Sequence, residues 1–278
     1  MTDAIRRAAL AERAARAGGV VANETFRSAL TVETKAHKND VVTQADHDAQ
    51  QQVVATIRQE FPDDAMVCEE DGSVPGVDDD EIRKTVPETG PAWVVDPIDG
   101  TANYIRGIRF WCTSVAVVVD GETVGVANYL PAEQDIYTAG PESVTLNDAT
   151  MSVSDRTDPE TFMTALLGWW PMQHSDTYAE LFEATTERFG DVRRFGSLQG
   201  VLSLVAAGSL DAGFMPETPH PWDAIAGVYM IRRAGGTATD VHGDRWRHDS
   251  EGLVVSNGEA HDVVLEAVRD GASVEAAD

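Results

Sequence analysis

The stretch Trp93-Val94-Val95-Asp96-Pro97-Ile98-Asp99-Gly100-Thr101 constrains the fold more tightly than any other part of the chain. Three apolar residues read as the end of a buried strand, and the chain then turns through Pro97 and Gly100. The turn presents two carboxylates and a hydroxyl at the carboxyl edge of the strand, where open sheets keep their binding sites. Asp96 and Asp99, so close along a tight turn, repel one another unless a cation lies between them, and oxygen donors suit a hard ion such as Mg²⁺. The plain alternative is an Asp-rich surface turn. An EF-hand loop is excluded, because counting Asp96 as its first position places Ile98 and Gly100 where oxygen side chains are required.

The rest of the chain supplies elements around this edge. An Ala-rich opening helix is predicted from about Asp3 to Leu30, with an interruption at Gly18-Gly19. Thr31 to Asp40 reads as a polar, mobile loop. Val41 to Asp46 leads into a helix with Val53, Val54, Ile57 and Phe61 on its inner face. Thr43 and Asp46 have capping-box spacing, which gives Asp46 a purely structural reading. Ala65 to Cys68 forms a short strand that delivers Glu69 and Glu70. Side chains alternate faces in a strand, so one glutamate serves a site and the other faces solvent. Gly72 to Gly90 is acidic and bears Pro and Gly, the least ordered segment expected. Asp120-Gly121 marks a hairpin between Thr113 to Val119 and Thr123 to Tyr129, with Asp135 to Ala139 as a further antiparallel neighbour.

From about residue 145 the pattern changes to a βαβ-type alternation. Strands are predicted over Phe162 to Leu167, Val192 to Phe195 and Leu210 to Met215, with helices over Asp176 to Phe189 and Leu198 to Ala207. The helix Pro221 to Ala234 opens on Pro and closes at Gly235-Gly236. Strands Thr237 to Thr239 and Leu253 to Val255 and a helix over Glu259 to Arg269 complete the chain. The outcome is a single catalytic domain, 1–278, built as an N-terminal α+β lobe, 1–144, and a C-terminal α/β lobe, 145–278, with an acidic cleft between them.

Charge and cysteine content exclude several functions. With 47 acidic and 21 basic residues the formal charge is -26, which repels nucleic acid and anionic membranes. The acids are spread along the chain, as a solvated surface suited to high salt requires, so a halophilic source is expected and a metal-storage role is not. Cys68 and Cys112 form no metal-ligand pattern and are expected as buried thiols in a reducing cytosol. The longest uncharged runs fall short of the roughly 18 to 20 residues that span a bilayer. A cytoplasmic location follows.

Glu69, Asp96, Asp99 and Asp223 each stand where an apolar element begins or ends. If they converge, they offer oxygen ligands enough for two divalent ions, which can activate water and neutralise the leaving oxygen of a phosphoryl displacement. Thr101 could then orient the water and Asp46 accept its proton, without a covalent intermediate. Taken singly, Asp223 is also explained as an acid favouring a helix dipole, and His220 and Trp222 as packing residues. Arg193 and Arg194 read as a second-phosphate site or as salt-bridge partners.

The ordered motifs Asp40 to Asp46, Glu69-Glu70, Asp96 to Thr101 and Pro221 to Gly227 resemble those of the inositol monophosphatase family. Arg194 to Gly200 and Gly235-Gly236 match its later pattern. The resemblance implies a layered αβαβα sandwich of the sugar-phosphatase type, Mg²⁺-dependent hydrolysis of phosphate monoesters, lithium inhibition and a homodimer. It implies that Glu69, Asp96 and the Ile98 carbonyl hold a first Mg²⁺, and that Asp96, Asp99 and Asp223 hold a second. Asp46 and Thr101 become the water-activating pair, with Glu69 counted among the catalytic residues. Substrate contacts fall to Asp99, Gly100, Thr101, Gly196, Ser197, Leu198 and Glu217. The loop with Lys35, Lys38 and Asp40 resembles the segment that closes on a weaker third metal.

Departures leave the substrate open. Cys68 stands where the family commonly has Gly, Leu198 is bulkier than the usual small residue, and Met215 to Pro221 is one residue shorter than in inositol-selective members, so Glu217 need not reach a substrate hydroxyl. Inositol monophosphate and fructose 1,6-bisphosphate, as in archaeal relatives that take both, lead the expected substrates. A 3′(2′),5′-bisphosphate nucleotidase is the alternative, and it would want an aromatic surface near the cleft. A catalytically silent binder of the same fold is the alternative from another class.

Overall fold

A computed structural model describes residues 3–28, 32–34, 41–71, 82–168 and 175–272. Helix α1 (Asp3–Thr25) buries Arg7, Leu10, Ala11, Ala14, Ala15, Gly18, Gly19 and Ala22, a stripe recurring every three to four residues. It runs without interruption through Gly18 and Gly19, contrary to the sequence expectation. The two glycines are where α1 meets its neighbours most closely. A Cβ on Gly18 would lie 2.4 Å from Val53 Cγ2 and 3.2 Å from the Ala49 carbonyl, and one on Gly19 would lie 2.6 Å from Tyr129 Cδ1. Gly18→Ala is therefore expected to destabilise by about 1–3 kcal/mol through overpacking, although alanine is the better helix former by roughly 1 kcal/mol. A urea midpoint that stays level or rises would show that α1 has room to spare.

Strands β1 (Val32–Thr34) and β2 (Val41–Thr43) pair antiparallel, so part of the expected loop is ordered as strand. Residues 35–40, with Lys35, Lys38 and Asp40, lie outside the described residues. Helix α2 (Gln44–Arg58) follows, then β3 (Ala65–Cys68) and β4 (Ile82–Arg83). Strand β4 corrects the expectation for Gly72 to Gly90: residues 72–81 lie outside the described set, but Ile82 and Arg83 pair parallel to Met66 and Val67. The central strand β5 (Pro91–Asp99) leads into the short helix α3 (Thr101–Ile105). A meander then runs through β6 (Cys112–Val119), β7 (Glu122–Leu130), β8 (Asp135–Ala139), β9 (Val144–Leu146) and β10 (Ala149–Thr150). Asp120 and Gly121, both with positive φ (51° and 80°), make the tight β6–β7 turn.

The remaining elements are β11 (Met163–Leu166), α4 (Ser175–Thr186), β12 (Asp191–Arg193), α5 (Leu198–Ala206), β13 (Ala212–Met215), α6 (Pro221–Arg233), β14 (Thr237–Thr239), β15 (Leu253–Ser256) and α7 (His261–Ala272). The first large sheet has the order β10-β9-β8-β7-β6-β5-β3-β4, and the second β12-β11-β13-β15-β14. In the second sheet β11 is parallel to β12 and β13, as the alternating pattern requires, while β14 and β15 run antiparallel.

The alternation of side chains along β5 sets the layers. Trp93 and Val95 point into a core with Leu10 and Ala14 of α1 and Val53 and Ile57 of α2. Ala92 and Val94 point the other way, onto Val201 and Leu202 of α5 and Ile225 and Val228 of α6. Those helices also pack against Leu253 and Val255 of the second sheet, whose far face carries Phe214 and Val254 against Leu181 of α4 and Val264 of α7. The five layers are helices, sheet, helices, sheet, helices, the αβαβα sandwich expected.

A buried ion pair fastens α1 to the first sheet. The Arg7 guanidinium bonds Asp64, which also accepts from Trp93 Nε1 at 2.8 Å, and it stacks 4.0 Å from the centre of the Phe61 ring. Both charged side chains are buried. Among the described residues no helix is long and apolar enough to cross a membrane.

Candidate metal and phosphate site

Parallel pairing explains why acids from separate segments meet. Strand β3 runs beside β5 with Cys68 opposite Val95, and the Glu69 amide donates to the Val95 carbonyl at 3.1 Å. Their carboxyl ends therefore share one edge, which places Glu69 next to Asp96. The β5–β6 register shifts between Asp96 and Asp99, so the chain bulges at Pro97 before Asp99 pairs with Cys112. The first turn of α6 brings Asp223 from the other side. Ligand oxygens of Asp96, Asp99 and Asp223 all lie within 4.8 Å of one another. Glu69 stands within hydrogen-bond reach of Asp96.

The electrostatics are those of a site short of positive charge. Burial, and then the charges of Glu69, Asp99 and Asp223, push the Asp96 carboxyl well above the usual carboxylate range. Burial also raises Asp99, with the charge of Glu69 adding to it, while donors from Ser197, Leu198 and Gly200 pull the other way. Asp96 Oδ1 is buried with no hydrogen-bond partner. A buried carboxylate oxygen without a donor, in a cluster of oxygen ligands, fits a hard divalent cation.

Asp99 also ties the first sheet to the middle layer of helices. It accepts from the Ser197 hydroxyl, from the Leu198 amide at 3.0 Å and from the Gly200 amide at 3.3 Å, so a residue at the end of β5 caps the start of α5. Gly100 permits the approach. It has φ of 94°, and a Cβ there would lie 3.1 Å from the Gly196 carbonyl. Cys112 Sγ adds a weak donor to Asp99 at 3.7 Å.

Asp46 and Thr101 are adjacent. The Thr101 hydroxyl lies 3.3 Å from Asp46 Oδ1 and 3.0 Å from the Ile98 carbonyl. Asp46 is fully buried and also closes the capping box, accepting from the Thr43 amide and hydroxyl at 2.8 and 2.7 Å. The cap and the Thr101 contact use different oxygens of the Asp46 carboxylate, Oδ2 for the cap and Oδ1 for Thr101.

Other expected residues fall as follows. Gly196, Ser197 and Leu198 form the turn into α5, with Gly196 exposed and Leu198 buried in the core. Glu217 lies half-buried between β13 and α6. Strand alternation sends one of the two glutamates to solvent, but Glu69 is half-buried and Glu70 buried. Gln50 of α2 bonds both its amide and its carbonyl at 3.0 Å and draws the turn inward. The His220 ring stacks on Trp222; Trp222 is buried, as a packing residue should be, while His220 is exposed. Arg193 pairs with Asp191 at 2.6 Å. Both cysteines are buried free thiols, and burial pushes Cys68 up to about 12. Sequence reasoning missed Lys84, which donates to the Cys68 and Glu69 carbonyls at 3.1 and 2.6 Å and steadies the end of β3. No local pattern marks it.

An αβαβα sandwich with this acid cluster on the edge of its first sheet offers oxygen ligands for a divalent metal, and together with the family match it supports a phosphatase-type hydrolase. The chain belongs to the inositol monophosphatase family, whose pattern residues 4–273 match. It is 30% identical over 264 residues to the Nus factor SuhB of Escherichia coli K12, covering 94% of this chain and 95% of that protein. It is 30% identical over 240 residues to the fructose-1,6-bisphosphatase/inositol-1-monophosphatase of Thermotoga maritima, covering 86% of each. The solved structure of a Thermotoga maritima IMPase matches with a TM-score of 0.83 at 27% identity, over 94% of this chain and 96% of that one.

Proposed function

We propose that this protein hydrolyses the phosphate monoester of a small polyol or sugar, inositol monophosphate or fructose 1,6-bisphosphate, with two Mg²⁺, or three where the loop with Lys35, Lys38 and Asp40 adds a weaker site. The observation that carries the reading is the gathering of Asp96, Asp99 and Asp223 around a buried carboxylate oxygen with no donor of its own. Glu69, Asp96 and the Ile98 carbonyl would hold one ion, and Asp96, Asp99 and Asp223 the other. When bound, the cations supply Lewis-acid charge to the phosphate and its leaving oxygen. The Thr101 hydroxyl orients a water, and Asp46 accepts the proton that passes through it. The Gly100-Thr101 amides and the Gly196 to Leu198 turn would flank the phosphate ester, while Glu217, in a segment one residue shorter than in inositol-selective members, need not reach it.

The Asp46–Thr101 pair supports an enzyme over a silent binder, which needs only the metal ligands. One observation favours nucleotides as a second substrate class. The half-buried rings of Phe110 and Phe195 lie 5.0 Å apart beside Gly196, an aromatic surface of the kind that stacks a base. The E. coli relative bears the name of a Nus factor, but a formal charge of -26 argues against direct nucleic-acid contact here. A cytoplasmic, salt-adapted, lithium-sensitive homodimer completes the proposal.

Phosphate release from inositol 1-phosphate, fructose 1,6-bisphosphate and adenosine 3′,5′-bisphosphate, with Mg²⁺ and with EDTA in molar salt, tests it. Release from a sugar or polyol ester that EDTA stops is expected. Preference for the adenosine ester would shift the assignment to the nucleotidase, and no release from any of them would leave only a binder.

A further inference from the structure

A carboxamide from α5 brackets the turn of α6 that carries Asp223. Gln199 Nε2 donates to the Trp222 carbonyl at 2.7 Å, and its Oε1 accepts from the Gly227 amide at 2.8 Å. Trp222 immediately precedes Asp223, and Gly227 lies one helical turn after it. The two helices are in close contact here, since a Cβ on Gly227 would lie 2.2 Å from Leu202 Cβ. On its other side Gln199 meets the first sheet. Asn128 Nδ2, on β7, lies 3.1 Å from Gln199 Oε1 and 2.9 Å from Ser203 Oγ, and the Ser203 hydroxyl donates to the Gln199 carbonyl at 2.8 Å. Asn128, Gln199 and Ser203 are fully buried.

Burying three polar side chains in an apolar layer is costly, the more so as Asn128 Oδ1 has no partner there, and an apolar side chain could fill the same volume. The position of the bonds shows what they accomplish. The amides on either side of Gln199, those of Leu198 and Gly200, hold Asp99, while the Gln199 side chain holds the turn of Asp223. A single helix start thus touches the supports of two of the three clustered carboxylates.

We infer that Gln199 is a positioning residue that fixes the separation of Asp99 from Asp223 and so sets the affinity of the cluster for divalent cations. The inference rests on the metal-site reading above. Outer partners of metal ligands typically govern affinity by 10–100-fold.

The test is titration of the metal-free protein with Mn²⁺, followed by calorimetry and by the electron-spin signal of free Mn²⁺. Gln199→Met, which keeps the length and removes the hydrogen bonds, should weaken Mn²⁺ binding by about tenfold or more. It should raise the Mg²⁺ needed for half-maximal phosphate release in parallel, while excess Mg²⁺ restores most of kcat. Ser203→Ala removes a bond from the same buried cluster without touching α6. It should lower the melting midpoint and leave Mn²⁺ affinity unchanged. A folded Gln199→Met protein with wild-type affinity, or an equal loss in Ser203→Ala, overturns the inference. If Gln199→Met does not fold, Gln199→Asn, one methylene too short to reach both Trp222 and Gly227, reads the same quantity. A wild-type protein that binds no Mn²⁺ overturns the metal site itself, a separate outcome.

Discussion

Asp96→Asn is expected to cut phosphate-ester turnover on the order of a thousandfold, the scale of losing one preorganised charge from a dry site, and to raise the thermal midpoint of the metal-free protein. The two effects have one cause. Asp96 is buried beside Glu69, Asp99 and Asp223, and together these hold its carboxyl well above the usual range. Below about pH 4, the ordinary carboxylate value, folded and unfolded chains both keep this proton and the group has no effect on folding. As the pH rises the unfolded chain releases its proton first, so folding is penalised increasingly until the folded carboxyl ionises too. Without metal the protein should therefore lose stability from mildly acidic toward neutral pH. Added Mg²⁺ should raise the midpoint more at pH 8 than at pH 5.5. Asparagine removes this ionisation and should flatten this part of the pH dependence. Thermal scans of EDTA-treated wild type and variant across that range check it. A variant that is less stable than wild type at pH 8 would show that Asp96 supports the fold and does not strain it.

Arg7→Met should cost about 3–5 kcal/mol, because it leaves the Asp64 carboxylate buried with its cationic partner gone. For a chain of this size that is a fall on the order of 10 °C in the melting midpoint. Adding Asp64→Asn should recover most of the loss, since the amide oxygen still accepts from Trp93 while the stranded charge disappears. Salt distinguishes this pair from the surface. Arg13 and Glu60 also pair, but Arg13 is exposed, and Arg13→Ala should change little at any ionic strength. The Arg7→Met loss should persist in molar salt, where exposed pairs are screened. If salt erases it, water reaches the pair.

The turn at Asp96 to Thr101 was legible because its strand, its bend and its carboxylates are contiguous. The layering was legible for a similar reason: Ala92, Trp93, Val94 and Val95 are apolar on both faces, so the strand has to be covered twice. What escaped depends on partners far along the chain. Gly18-Gly19 looks like a break if only local propensity is counted, whereas its missing side chains let Val53 and Tyr129 approach. Strand alternation sends one of Glu69 and Glu70 to solvent, but neither is exposed, and the main chain of Glu70 is held by Gln50, twenty positions earlier. Asn128 and Gln199, which meet across 71 positions, are ordinary polar residues until the fold pairs them. Among the carboxylates, Glu69 and Asp223 were legible only through the order of the motifs, since nothing near either one in the sequence names the others as neighbours.

The middle layer has a bearing on how such a chain can be divided. Helices α5 and α6 serve as the inner wall for both sheets. A cut between residues 144 and 145 would strip the first sheet of the cover for its Ala92 and Val94 face, and neither fragment would be expected to survive alone. Inserted or fused sequence belongs instead at the Asp120-Gly121 hairpin, where a Cβ on Gly121 meets nothing within 4 Å. The protein is in this sense indivisible at its waist and permissive at its rim.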